Sequence, residues 1–115
     1  MEKQNILITG ASRGIGKAIA DELTSVGFNC ITPSSKELNL NDKNSVARYI
    51  AKNSDLDIYG LVNCAGINIL ASLDEIDDEK FDDMINVNLR SVISLAKFAS
   101  VSMRRNEGGK IVNIS

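Results

Sequence analysis

Residues 9–16 read "TGASRGIG", with glycines at 10, 14 and 16. Residue types at this spacing suit the holding of a phosphate. Gly10, Gly14 and Gly16 free the backbone to turn tightly and to approach a ligand with no Cβ in the way. Ser12 contributes a hydroxyl and Arg13 a positive charge. The helix predicted to open at Gly14, Ile15 and Gly16 brings forward unpaired N–H groups and the positive end of its dipole, which favour a pyrophosphate. A glycine triplet alone also marks an ordinary turn. A strand before it and an amphipathic helix after it make it a nucleotide-site signal. No Lys-Ser/Thr pair closes the loop, which separates it from an ATPase-type P-loop.

Composition removes several other chemistries. The chain has no histidine, so histidine-based triads and zinc sites are excluded. Its two cysteines, Cys30 and Cys64, lack metal-ligand spacing and are expected to be reduced and packed as small apolar groups. A net charge of −2 gives no electrostatic case for nucleic acid or an anionic membrane. No apolar run approaches membrane-spanning length and "MEKQN" lacks a signal-peptide layout, so the expected location is the cytoplasm.

The phosphate loop needs a scaffold, and the hydrophobic pattern supplies one. "NILIT" (residues 5–9) is continuously apolar, as a parallel strand covered on both faces is. Ile15, Ala18, Ile19, Leu23 and Val26 recur at helical spacing before Gly27. "FNCIT" predicts a second strand, broken at Pro33-Ser34-Ser35, and "ELNL" (37–40) a third, very short one. Asn41 or Asp42 can cap a helix carrying Val46, Tyr49 and Ile50. "IYGLVN" (58–63) reads as the next strand and ends in "NCAG"; Asp77 caps a long helix over 78–105; "KIVNIS" is the last strand. Strands alternating with helices imply an α/β fold with a parallel sheet and right-handed crossovers.

The glycine spacing TGxxxGxG, "NCAG" at 63–66, "INVNL" at 85–89 and "GGKIVNIS" at 108–115 together resemble the short-chain dehydrogenase/reductase family, along the whole chain and in order. The resemblance implies a doubly wound parallel sheet of the Rossmann kind, strand order 3-2-1-4-5, ending after strand 5. It implies that residues 1–115 form a single NAD(P)-binding domain, the N-terminal part of a longer reductase. Asn63, Ala65 and Gly66 resemble the family residues lining the adenosine and nicotinamide-ribose side, with Cys64 in place of a second Asn. Asn39 and Leu40 occupy the adenine-contacting positions. Asn88 falls on the family's catalytic Asn, at a helix irregularity that holds a water in a proton relay. The plainer reading of Asn88 is a satisfied amide in the core, since it lies amid Phe81, Met84, Ile85, Val92, Leu95, Ala96, Ala99 and Met103. That apolar arc, widened by Val87 and Phe98, is broader than one sheet contact needs; the resemblance implies that a second copy packs there, a homo-oligomer through helix 78–105, and an internal structural use of the surface is the alternative.

The family's catalytic Ser falls immediately after Ser115, and its Tyr-x-x-x-Lys motif is absent: Tyr49 and Tyr59 are followed four residues on by Asn53 and Asn63. The resemblance therefore implies an oxidoreductase moving a hydride between the cofactor and a small-molecule carbonyl or alcohol. This chain would supply the cofactor cradle and Asn88 but no acid. The alternative is a non-catalytic NAD(P)-binding or sensor module. The second strand ends in Thr32-Pro33-Ser34-Ser35-Lys36, with no acid before Glu37. Arg13 and Lys36 would attract a 2′-phosphate, which favours NADP. NAD is the second choice, should Glu37 fold back towards the ribose.

Overall fold

The computed structural model describes residues 2–115. The strands β1 (Asn5–Ile8), β2 (Asn29–Ile31), β3 (Gly60–Asn63) and β4 (Lys110–Asn113) form one sheet in the order β2-β1-β3-β4. Every pairing is parallel; Leu7 stands level with Ile31 on one side and Leu61 on the other. The helices are α1 (Gly14–Ser25), α2 (Lys43–Lys52), α3 (Asp78–Ile85) and α4 (Ser91–Arg105), with a π-helical turn, Asn86–Arg90, joining the last two.

Side chains alternate across a strand, so β1 feeds two cores. Leu7 points into one, with Leu38, Val46, Tyr49, Ile58, Leu61, Leu95, Phe98, Ala99 and Met103. Ile6, Ile8 and Val62 point into the other, where Ile19, Ala20 and Leu23 of α1 cover them. Helices thus pack on both faces, the doubly wound arrangement that the family resemblance implies. Cys30 and Cys64 are free thiols, half-buried in the second core. Asp42 rather than Asn41 caps α2, its carboxylate accepting from the N–H of Asn44 at 2.9 Å. Asp77 caps α3 by accepting from Lys80 N–H at 2.7 Å.

Two expectations fail for local reasons. Residues 37–40 are not a third strand, so the observed order lacks its outer member. Ser34 and Glu37 instead form a reciprocal capping pair: Ser34 Oγ accepts from Glu37 N–H at 3.3 Å, and Glu37 Oε1 accepts from Ser34 N–H at 3.1 Å. That closes a helical turn in which Leu38 N–H reaches the Ser34 carbonyl at 2.9 Å. Backbone groups spent in the turn cannot join a sheet. Ile15 on α1 and Val26 at its C-cap are 63% and 62% exposed, so the apolar stripe packing on the sheet is narrower than the spacing suggests.

Asp57, ahead of β3, is clasped by Arg105 at 2.8 Å and Asn106 at 2.9 Å beyond α4. The Arg105 hydrogen bond, seconded by Asn106, holds its carboxyl below the ordinary value. This clasp is present at neutral pH and lost as pH falls through that lowered value, but its exposure keeps the effect small. Among the described residues no helix is long and apolar enough to cross a membrane.

At the sheet's other end β4 pairs only with β3 and is exposed along its whole length, Ile111 at 41% and Val112 at 48%. An apolar edge with a free row of backbone donors and acceptors invites another strand. Sedimentation of the 115-residue chain should therefore show concentration-dependent association, reduced by Val112→Lys. A monomer at high micromolar concentration would contradict this.

Candidate functional site

The loops after β1 and β3 meet at the carboxyl ends of their strands, where the winding of the sheet reverses. Thr9 makes the junction. It is buried, its N–H donates to the Val62 carbonyl at 3.1 Å, and its Oγ1 accepts from the N–H groups of both Cys64 and Ala65, each at 3.1 Å. Gly10 follows in a left-handed conformation, φ +67°, and a Cβ there would stand 2.8 Å from Ala65 Cα. A Cβ on Gly16 would overlap the Gly10 carbonyl, so the first turn of α1 rests directly on the loop. Arg13 occupies the N-cap without a side-chain cap bond, leaving the first-turn N–H groups with no side-chain acceptor.

Above this junction opens a cleft of about 360 Å³, bounded by Thr9–Ser12, Pro33–Ser35, Leu38–Asn41, Ala65 and Val87. Seven of the expected cofactor residues line it: Gly10, Ser12, Ser34, Ser35, Asn39, Leu40 and Ala65. Arg13, Gly14, Ile15, Gly16, Lys36 and Gly66 are outside the lining. Asn63 faces elsewhere: buried, it donates from Nδ2 to Asn113 Oδ1 at 3.0 Å and ties β3 to β4. No lining residue is ionisable; Arg13 and Lys36, next in sequence to lining Ser12 and Ser35, make no ion pair among the described residues. A larger cleft of about 650 Å³ lies at the amino ends of the strands, around Asn5, Tyr59 and Gly108. It is remote from both loops, and open α/β sheets bind ligands at the carboxyl ends.

Of the lining residues, the spacing-based reading missed Thr9, Ala11, Pro33, Leu38, Asn41 and Val87. A hydroxyl at the end of an apolar strand was a signal for Thr9, and an asparagine one residue ahead of a helix cap a weaker one for Asn41. Val87 carried none, being one apolar residue among many. Asn88 sits in the π-turn and is exposed rather than in the core. Its Oδ1 accepts from Ile67 N–H at 2.8 Å and its Nδ2 donates to the Ile67 carbonyl at 2.7 Å, so the amide clamps the backbone just past "NCAG". Neither tyrosine reaches the cleft. Tyr49 is in the first core, where burial, then the charge of Glu37, pushes its hydroxyl above the ordinary value. Tyr59 stacks on Phe28 in the second core, ring centroids 6.2 Å apart.

A parallel sheet with a glycine turn at its winding reversal, facing a second loop across a cleft, defines a dinucleotide-type α/β protein. Residues 37–115 match the family model described as short chain dehydrogenase. The 3-oxoacyl-(acyl-carrier-protein) reductase FabG of Haemophilus influenzae is 36% identical over 134 residues, an alignment covering 99% of this chain and 55% of the relative. FabG of Rickettsia conorii is 38% identical over 127 residues, covering 95% and 52%. A metagenomic short-chain oxidoreductase solved in complex with NADP superimposes with a TM-score of 0.90 at 26% identity, covering 97% of this chain and 61% of that one. The chain belongs to the short-chain dehydrogenase/reductase family. It spans about half the length of the curated relatives it matches.

Thr9→Val keeps the shape but strips the acceptor from two backbone donors. Each N–H left without a partner costs about 1–3 kcal/mol where water cannot replace it. With two such groups, chemical denaturation should show a loss of about 2–6 kcal/mol, towards the lower end if water reaches either one. An unchanged midpoint would mean that the two loops hold together without this hydroxyl.

Proposed function

We propose that this chain is the N-terminal cofactor-binding part of a reductase that uses NADP(H), with NAD(H) second, to interconvert a small-molecule carbonyl and its alcohol. The observation that carries the reading is the Thr9 junction beneath the cleft, which sets a glycine turn, a helix start with free N–H groups and the "NCAG" loop against one space. The residues fit a dinucleotide's adenosine half: the cleft is within the usual range for ligand pockets, its walls are small and uncharged, and Gly10 lets the loops approach where a Cβ would block them.

When bound, the nicotinamide supplies the hydride chemistry. In this reading Gly10, Ser12 and the first-turn N–H groups of Gly14, Ile15 and Gly16 take the pyrophosphate. Asn39 and Leu40 flank the adenine, while Ala65 and Gly66 border the nicotinamide ribose. Asn63 acts on that side only indirectly, through the sheet. Arg13 and Lys36 take the 2′-phosphate from the rim. Glu37 does not compete for the ribose hydroxyls, because its carboxylate is held by Ser34 N–H. Asn88 keeps the loop after "NCAG" in place and belongs to the catalytic group. A proton donor is not among these residues, so turnover requires the Ser and the Tyr–Lys pair expected beyond Ser115. The names of the relatives, 3-oxoacyl reductases, support a carbonyl substrate, and the NADP in the structural neighbour supports the cofactor. Leu89 and Ile93, 51% and 53% exposed and four residues apart, give the helix an apolar face suited to a second copy.

Titration of the full chain with NADPH and NADH tests this. Arg13→Ala and Lys36→Ala should each weaken NADPH by roughly ten-fold or more, since a charge-assisted phosphate contact contributes about 1.5–3 kcal/mol, and should barely affect NADH. Equal weakening of both would remove the 2′-phosphate from this rim. Failure of the unaltered chain to bind either dinucleotide would overturn the cofactor reading.

A further inference from the structure

The π-turn Asn86–Arg90 bonds to the cleft wall at Asn41 and to the loop that continues from lining Ala65, and does so with alternate residues. Asn88 grips the Ile67 backbone on the "NCAG" side. Two residues earlier, Asn86 reaches the opposite wall: its Nδ2 donates to both the carbonyl and the Oδ1 of Asn41, each at 3.3 Å. Between them Val87, 8% exposed, forms part of the cleft lining itself. The Asn86 contact is built rather than incidental. Arg90 Nε donates to Asn86 Oδ1 at 3.2 Å, which orients the amide so that its Nδ2 faces Asn41. Asn41 in turn donates from Nδ2 to Asp83 Oδ1 at 2.9 Å, giving α3 a second hold on the same loop. The loop is also stiff internally: Asn41 N–H donates to Asn39 Oδ1 at 3.0 Å, and Asn39 N–H to the hydroxyl of buried Ser45 at 2.9 Å.

We propose that Asn86 is a positioning residue that locks the Asn39–Asn41 wall of the cleft to the turn bearing Asn88, so that one rigid piece sets the spacing of both walls. This rests on reading the cleft as the cofactor site. Loss of the adenosine-side contact then loosens the catalytic-side clamp as well, although Asn86 touches neither Ile67 nor Asn88's amide. Hydrogen-bonded pieces with a single arrangement transmit such a change; separately anchored walls would not.

The discriminating variant in the full chain is Asn86→Asp. The carboxylate still accepts from Arg90, but it has no donor for Asn41 and opposes two oxygens. Two quantities are read: the dissociation constant for NADPH, and the hydrogen-exchange rate of the Ile67 amide. Both should rise by roughly three- to ten-fold, the size expected for one hydrogen bond. Asn41→Ala, which removes the side-chain acceptor and leaves the Asn41 carbonyl, should shift both quantities in the same direction by less, and serves if the first variant fails to fold. Weaker NADPH binding with unchanged Ile67 exchange would reduce Asn86 to a local wall contact and overturn the coupling. Unchanged values of both would overturn it too. If the unaltered chain binds no dinucleotide while Ile67 exchange still responds to Asn86→Asp, the lock stands and the cofactor reading falls.

Discussion

One oxygen atom joins the two loops on which the site depends. Thr9 Oγ1 collects the N–H groups of Cys64 and Ala65 at the point where β1 gives way to the glycine turn. Buried backbone donors must find partners, and here both find the same one. The consequence is geometric. With the loop after β3 held against the loop after β1, Gly10 must lie almost in contact with the Ala65 backbone, and only a residue without Cβ fits there. Gly16 then lets α1 start directly on the loop, against the Gly10 carbonyl.

The π-turn is the second constraint, and it moves a side chain from one face of a helix to another. In a regular α-helix Asn88 would share a face with Met84, Ile85 and Leu95, in the apolar arc against the sheet. A π-turn adds one residue, which rotates the preceding helix by about 100° relative to the following one. Leu95 accordingly stays fully buried while Phe81 and Leu89 are about half exposed and Asn88 faces the loop at Ile67. The same rotation presents Asn86 to Asn41. Irregular turns of this kind collect at functional sites because they aim polar groups that a regular helix would bury.

The crossover between β2 and α2 shows how a local preference changes the charge of a site. Ser34 and Glu37 satisfy each other's backbone N–H groups, and the segment folds into a helical turn. This removes a strand from the sheet's edge, and it also ties the Glu37 carboxylate to the Ser34 N–H. Arg13 and Lys36, each next in sequence to a serine of the cleft lining, carry no ion pair among the described residues.

Much of this was legible without coordinates. Apolar runs within 5–9 and 58–63, the Asp77 cap and the glycine spacing led to an α/β fold with a parallel sheet, because these depend on period, caps and backbone freedom, which are local properties; the doubly wound order came from the resemblance of the motifs to a family. The Ser34–Glu37 pair was also a local signal, three residues apart, and outweighed the weak strand preference of "ELNL". What the sequence could not decide were encounters across long separations: Thr9 with Ala65, Asn41 with Asn86, Asn63 with Asn113. Each is a polar side chain whose partner lies more than forty residues away. Only the packed sheet and the π-turn decide whether such a group meets another hydrogen-bonding partner or the ligand, since burial determines which partners remain within reach.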